Sequence, residues 1–143
     1  MKAMLLIKHG GPEMFRYGEA PDPTTAPGEV VVDIHAASIN AADCKVRLGG
    51  GRYSLSRFPH ILGRDFSGVV SMVGTGVTDF KVGDAVFGVT DQGIEGAYAE
   101  KIAIKAAIVA KKPETNDRPL LRVPVARPVR RRAPKARVTP SLT

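Results

Sequence analysis

Hydrophobic and polar positions alternate with a period of two across residues 28–40, GEVVVDIHAASIN. The pattern predicts a strand with Val30, Val32, Ile34 and Ala36 on one face and Val31, Asp33, His35 and Ala37 on the other. Residues 3–8 and 14–17 form shorter apolar runs around the Gly10-Gly11-Pro12 turn, which predicts two further strands before a Pro- and Thr-rich loop at 21–27. FSGVVSMVG, GDAVFGV and GAYAEKIAI, each 7–9 residues long, follow with Gly- or Asp-containing turns between them. Strands at this spacing predict a small antiparallel barrel or sandwich. One helix interrupts them, over residues 40–48, with Asn40 as its cap and Gly49-Gly50-Gly51 as its stop.

Charge and composition then divide the chain. Residues 1–112 carry 13 Lys and Arg against 12 Asp and Glu, whereas residues 113–143 carry 8 against 2, so the net charge of +7 lies almost wholly in the last segment. All 15 glycines and all eight Phe and Tyr precede the seam, and six of the 11 prolines follow it. A segment with no aromatic residue, seven arginines and a proline every few positions has little with which to build a core. The sequence therefore predicts a folded unit at 1–112 and a disordered Arg/Pro-rich tail at 113–143. Three origins for the tail stay open: a solvated low-complexity end, a basic arm for nucleic acid, or the product of a shifted reading frame in GC-rich coding DNA. As a nucleic-acid contact it predicts only weak, salt-sensitive phosphate binding.

The remaining composition excludes several classes. A total of 143 residues fits one domain, and a single cysteine, Cys44, excludes an intramolecular disulfide, a thiolate-only zinc site and an iron–sulfur site. Cys44 itself reads as a buried or half-buried bystander. No apolar run approaches the ~20 residues needed to span a bilayer, which predicts a cytoplasmic protein without membrane contact. His9, His35 and His60 are dispersed without metal-ligand spacing and read as structural or solvated. Gly74-Thr75-Gly76 starts like a dinucleotide fingerprint, but Asp79 stands where its last glycine belongs, so it reads as a turn.

Residues 59–88, PHILGRDFSGVVSMVGTGVTDFKVGDAVFG, resemble the N-terminal catalytic domain of medium-chain dehydrogenases/reductases. The likeness extends through PGEVVVDIHAASINAADCKVR, GAYAEKIAI and IVAKKPE, about residues 1–114. It implies a mainly β, GroES-like barrel with a short helix. Zinc-dependent members carry Cys and His where this chain has Asn40 and Arg64. An arginine has no lone pair to give, so the resemblance points to the zinc-independent quinone oxidoreductase branch, with no metal. In that branch hydride passes from NADPH to a quinone or enone.

The resemblance also nominates residues. Asn40 matches the position facing nicotinamide and substrate, where an amide can hydrogen-bond a carbonyl, or else it simply caps the helix. Asp43 orients the loop or Arg64, or is a surface carboxylate. Arg64 attracts cofactor phosphate, or forms an ion pair with Asp65 or Asp43. Arg47 and Tyr53 flank the triple-glycine loop that approaches substrate, or merely pack it. The family's cofactor domain would follow residue 114, and nothing there resembles it. The reading is therefore a truncated NADPH-dependent quinone or enone oxidoreductase, inactive alone and not binding NADPH, with exposed apolar surface on the barrel. The alternative is a small binding or regulatory module that self-associates through the barrel and contacts anionic surfaces through the tail.

Overall fold

The computed structural model describes residues 1–91 and 93–113, so the expectations for the tail beyond Pro113 lie outside the described residues. Eight strands run in chain order as β1 (Lys2–Leu6), β2 (Phe15–Glu19), β3 (Glu29–Ala37), β4 (His60–Ile61), β5 (Asp65–Val73), β6 (Ala85–Val89), β7 (Lys101–Lys105) and β8 (Val109–Lys111). A single α-helix among the described residues, α1 (Ala41–Leu48), joins β3 to the β4 region. Every pairing is antiparallel, in a three-stranded sheet ordered β2-β1-β4 and a five-stranded sheet ordered β7-β3-β5-β6-β8. The mainly β reading is borne out, and no described helix is long and apolar enough to cross a membrane.

β3 and β5, nine residues each, form the centre of the larger sheet, with Val30 opposite Val73 and Ala37 opposite Phe66. Val30, Val32, Phe66, Val70, Val86, Ile102 and Ile104 from its strands fill the core. Fully burying a side chain of this size stabilises the fold by roughly 1.5–3 kcal/mol.

The two-faced assignment of β3 needs correction. Val31 is as buried as its neighbours, and Ala37, expected on the outer face, packs against the core. The register shift between Ile34 and Ala36 is the reason for Ala37, because His35 is the extra residue there and exchanges the faces of β3 downstream; the earlier shift, at Val31/Val32, has its extra residue, Ser71, on β5. Gly68 lies where the second shift brings the strands together. A Cβ there would meet the Asp33 carbonyl oxygen at 1.9 Å.

GAYAEKIAI also divides. Only its second half is β7, while Ala99 bridges to Ala3, Met4 N–H donates to the Tyr98 carbonyl and Ile34 N–H to the Glu100 carbonyl. This crossing segment ties the two sheets together. α1 stops as expected, since Gly49 adopts φ +76 and its N–H closes on the Lys45 carbonyl. Cys44, expected to be buried or half-buried, is exposed on this helix, because the helix turns Asp43 inward instead.

Candidate functional site

Where β3 ends, five polar groups are tied into one network. Ser38 Oγ donates to Asp65 Oδ2 at 2.6 Å, and Asn40 Nδ2 donates to the same oxygen at 2.9 Å. Asp43, only 4% exposed, accepts the Asn40 backbone N–H at 2.7 Å and the Tyr98 hydroxyl at 2.8 Å, both on Oδ2. The Asp43 contact is the return half of a capping box and holds the first turn of α1. Burial, reinforced by the hydrogen bond to Asp43, pushes the Tyr98 phenol above its ordinary range, so it stays protonated. Gly63 (φ +92) makes room for the ring, since a Cβ there would lie 2.4 Å from Tyr98 Cδ1.

The network corrects two expectations. Asp43 is a buried anchor, not a surface carboxylate. The Asn40 NH2 donates to Asp65 Oδ2 at 2.9 Å and, more weakly, to Ser38 Oγ at 3.4 Å, so in this arrangement its donors are engaged within the network and Oδ1 is the atom left to accept.

Next to the network, a cleft of about 140 Å³ is lined by Asp43 of α1, by Arg52 and Tyr53 of the 3-10 turn Gly51–Tyr53, and by Arg64 and Glu95. Tyr53 accepts a hydrogen bond from Arg52 at 2.8 Å, which holds its hydroxyl below the usual phenol range. Its own hydrogen remains available to a ligand. Arg64 pairs with neither Asp65 nor Asp43. Its Nε and Nη2 clasp the Thr90 carbonyl at 3.1 and 2.6 Å, while Thr90 N–H returns to the Arg64 carbonyl at 2.9 Å. Asp65 and Asp43 are occupied by Ser38, Asn40 and Tyr98, which leaves the guanidinium a carbonyl instead.

Arg47 does not line this cleft. Its Nη1 donates to the Gly10 carbonyl, and its own carbonyl accepts the Gly10 N–H at 3.0 Å, so it holds the β1–β2 connection to α1. His9 Nε2 accepts the Leu55 N–H at 2.9 Å, a structural role.

Glu95 and Tyr98 were not nominated by the sequence. Nothing in spacing shows that residue 98 meets residue 43, or that residue 95 meets His60, whose Nε2 lies 3.3 Å from Glu95 Oε2. The only sequence signal was the pair of polar and aromatic residues within GIEGAYAE, next to glycines that admit close packing.

A larger apolar groove of about 520 Å³, lined by Met4, Phe15, Tyr17, Ile34, Ile39 and Tyr98 among others, opens where β1 and β2 meet the end of β3. Tyr17 and Ile39 are 69% and 72% exposed there. This is the exposed apolar surface expected of the barrel.

Residues 26–114 match the family model of the alcohol dehydrogenase GroES-like domain. The mitochondrial NAD(P)H oxidoreductase RTN4IP1 of Bos taurus is 32% identical over 130 residues, covering 80% of this chain and 33% of its own length. The quinone oxidoreductase of Homo sapiens is 33% identical over 119 residues, covering 82% of this chain and 35% of that protein. The crystal structure of Escherichia coli quinone oxidoreductase complexed with NADPH superposes with a TM-score of 0.72 at 34% identity, covering 79% of this chain and 33% of that one. The chain thus spans about a third of the length of these relatives. With the barrel, the cleft and the sequence in agreement, the chain belongs to the medium-chain dehydrogenase/reductase superfamily, through its quinone oxidoreductase-like GroES-like domain.

Proposed function

We propose that the barrel is the acceptor-side half of a zinc-independent, NADPH-dependent quinone or enone oxidoreductase, and that this chain does not turn over NADPH unaided. The observation that carries the reading is the cleft between α1, the 3-10 turn and Arg64, where fixed polar groups surround a space fit for a small ring. When bound, a nicotinamide would supply a hydride. The chain's residues orient the reactants: Tyr53 donates its free hydroxyl hydrogen to the acceptor carbonyl, and Asn40 Oδ1 accepts from a carboxamide N–H. Asp43 and Tyr98 keep the start of α1 in place for both.

The described residues fit the ring end of such a cofactor but not its pyrophosphate. Gly74 and Gly76 make a turn, in which Gly74 N–H donates to the Glu29 carbonyl, and among the described residues no α-helix follows. The start of α1 faces the Asp43 carboxylate, which opposes a phosphate. A zinc ion does not fit either, since Arg64 offers only donors and Asn40 turns its NH2 toward Asp65.

NADPH consumption by the purified chain with a quinone acceptor tests the proposal. The expected rate equals the protein-free background, and robust turnover by monomeric protein overturns it.

A further inference from the structure

Reducing a quinone or enone needs a proton as well as a hydride, and the residues lining the cleft differ in their freedom to give one. Asp43 Oδ2 already accepts from the Asn40 N–H and the Tyr98 hydroxyl. Tyr98 directs its hydrogen to Asp43, and Arg52 and Arg64 hold their protons at any working pH. Glu95 remains. Its side chain is 4% exposed, lines the cleft, and meets His60 Nε2 at 3.3 Å and the Gly93 N–H at 3.3 Å. The His60 side chain is 27% exposed, so its ring touches both solvent and the buried carboxyl.

We infer that His60 and Glu95 form a two-residue proton path from solvent into the cleft, with Glu95 as the group that protonates the reduced acceptor. The inference rests on the proposed oxidoreductase reading. The C4–H bond of a dihydronicotinamide breaks, and its electron pair goes with the hydride to the acceptor. The acceptor oxygen takes the proton from the Glu95 carboxyl as that O–H bond breaks. The Glu95 carboxylate recovers a proton from the His60 imidazolium, and water reprotonates the ring. The net change is acceptor plus dihydronicotinamide plus one proton, giving reduced acceptor and oxidised nicotinamide. Tyr53, whose hydroxyl also faces the cleft, is the competing donor.

The test uses the full chain with N-benzyl-1,4-dihydronicotinamide, a hydride donor without pyrophosphate, and a benzoquinone acceptor. At saturating donor, where even weak binding of the ring fills the cleft, the wild-type chain is expected to accelerate the reaction with a solvent deuterium isotope effect. Glu95→Gln, isosteric and neutral, is expected to lower that acceleration at least tenfold and abolish the isotope effect. His60→Gln is expected to lower it less and to be rescued by added imidazole, which a merely structural role would not show. In the ¹⁵N-labelled chain, the His60 Nε2–H held by Glu95 is expected as a ring N–H signal that is lost in Glu95→Gln. A silent wild-type chain refutes the oxidoreductase reading itself. An active wild type with an unimpaired Glu95→Gln, or with Tyr53→Phe removing the isotope effect instead, refutes the relay alone. Each variant is compared only where its backbone spectrum matches the wild type away from the substitution.

Discussion

Replacing Asp43 with alanine removes the acceptor for the Asn40 backbone N–H and the nearer acceptor of the part-buried Tyr98 hydroxyl, whose other acceptor, the Ser38 carbonyl, lies at 3.3 Å. Loss of a capping interaction costs about 1 kcal/mol. A buried hydroxyl left without its charged partner costs about 1–3 kcal/mol more. Asp43→Ala should therefore destabilise the fold by about 2–4 kcal/mol, a large share of the roughly 5–15 kcal/mol a domain has. Tyr98→Phe removes only the shared bond and should cost about 1–2 kcal/mol. Because both variants break that bond, the double variant should be less destabilised than the sum of the two by about 1–2 kcal/mol. Urea unfolding followed by circular dichroism measures all three. Additive effects, or an Asp43→Ala cost below about 0.5 kcal/mol, would show that Asp43 does not hold the helix start to Tyr98.

Gly68→Ala should destabilise the barrel more than Gly76→Ala, since a new Cβ meets the Asp33 carbonyl at 1.9 Å in the first case and open space in the second; denaturation midpoints decide it. Asp33 is held below the usual carboxylate range by its hydrogen bond from Lys101, so the pair stabilises the fold above the ordinary Asp value and loses this as pH falls through the lowered one. Both side chains are partly exposed, so solvent screens the pair and Lys101→Ala should lower the neutral-pH unfolding midpoint only slightly, with the difference from wild type vanishing in acid. An apolar dye such as anilinonaphthalene sulfonate should fluoresce in the groove beside β1, and Ile39→Lys should reduce the signal without changing the unfolding midpoint.

The architecture was legible in the sequence wherever local pattern decides structure. Alternation over residues 28–40 and the Asn40 and Gly49 boundaries translated directly into β3 and α1. The faces of β3 after residue 34 were not legible, because its bulge depends on how β5 pairs with it. The site was legible only in part, for the same reason. Asp43, Tyr53 and Arg64 line one cleft. Thr90, the partner of Arg64, and Tyr98, a partner of Asp43, lie 26 and 55 positions away, and no local pattern encodes those meetings. Arg47 does not line that cleft, and its contact with the Gly10 carbonyl, 37 positions away, is of the same long-range kind.

The central claim is that this barrel holds the acceptor and the nicotinamide ring but lacks a cradle for the nucleotide. Calorimetric titration of the complete 143-residue chain with NADPH tests it most directly. The account predicts no saturable heat up to about millimolar NADPH, where binding free energy falls to about 4 kcal/mol. Stoichiometric binding at micromolar concentration would contradict it.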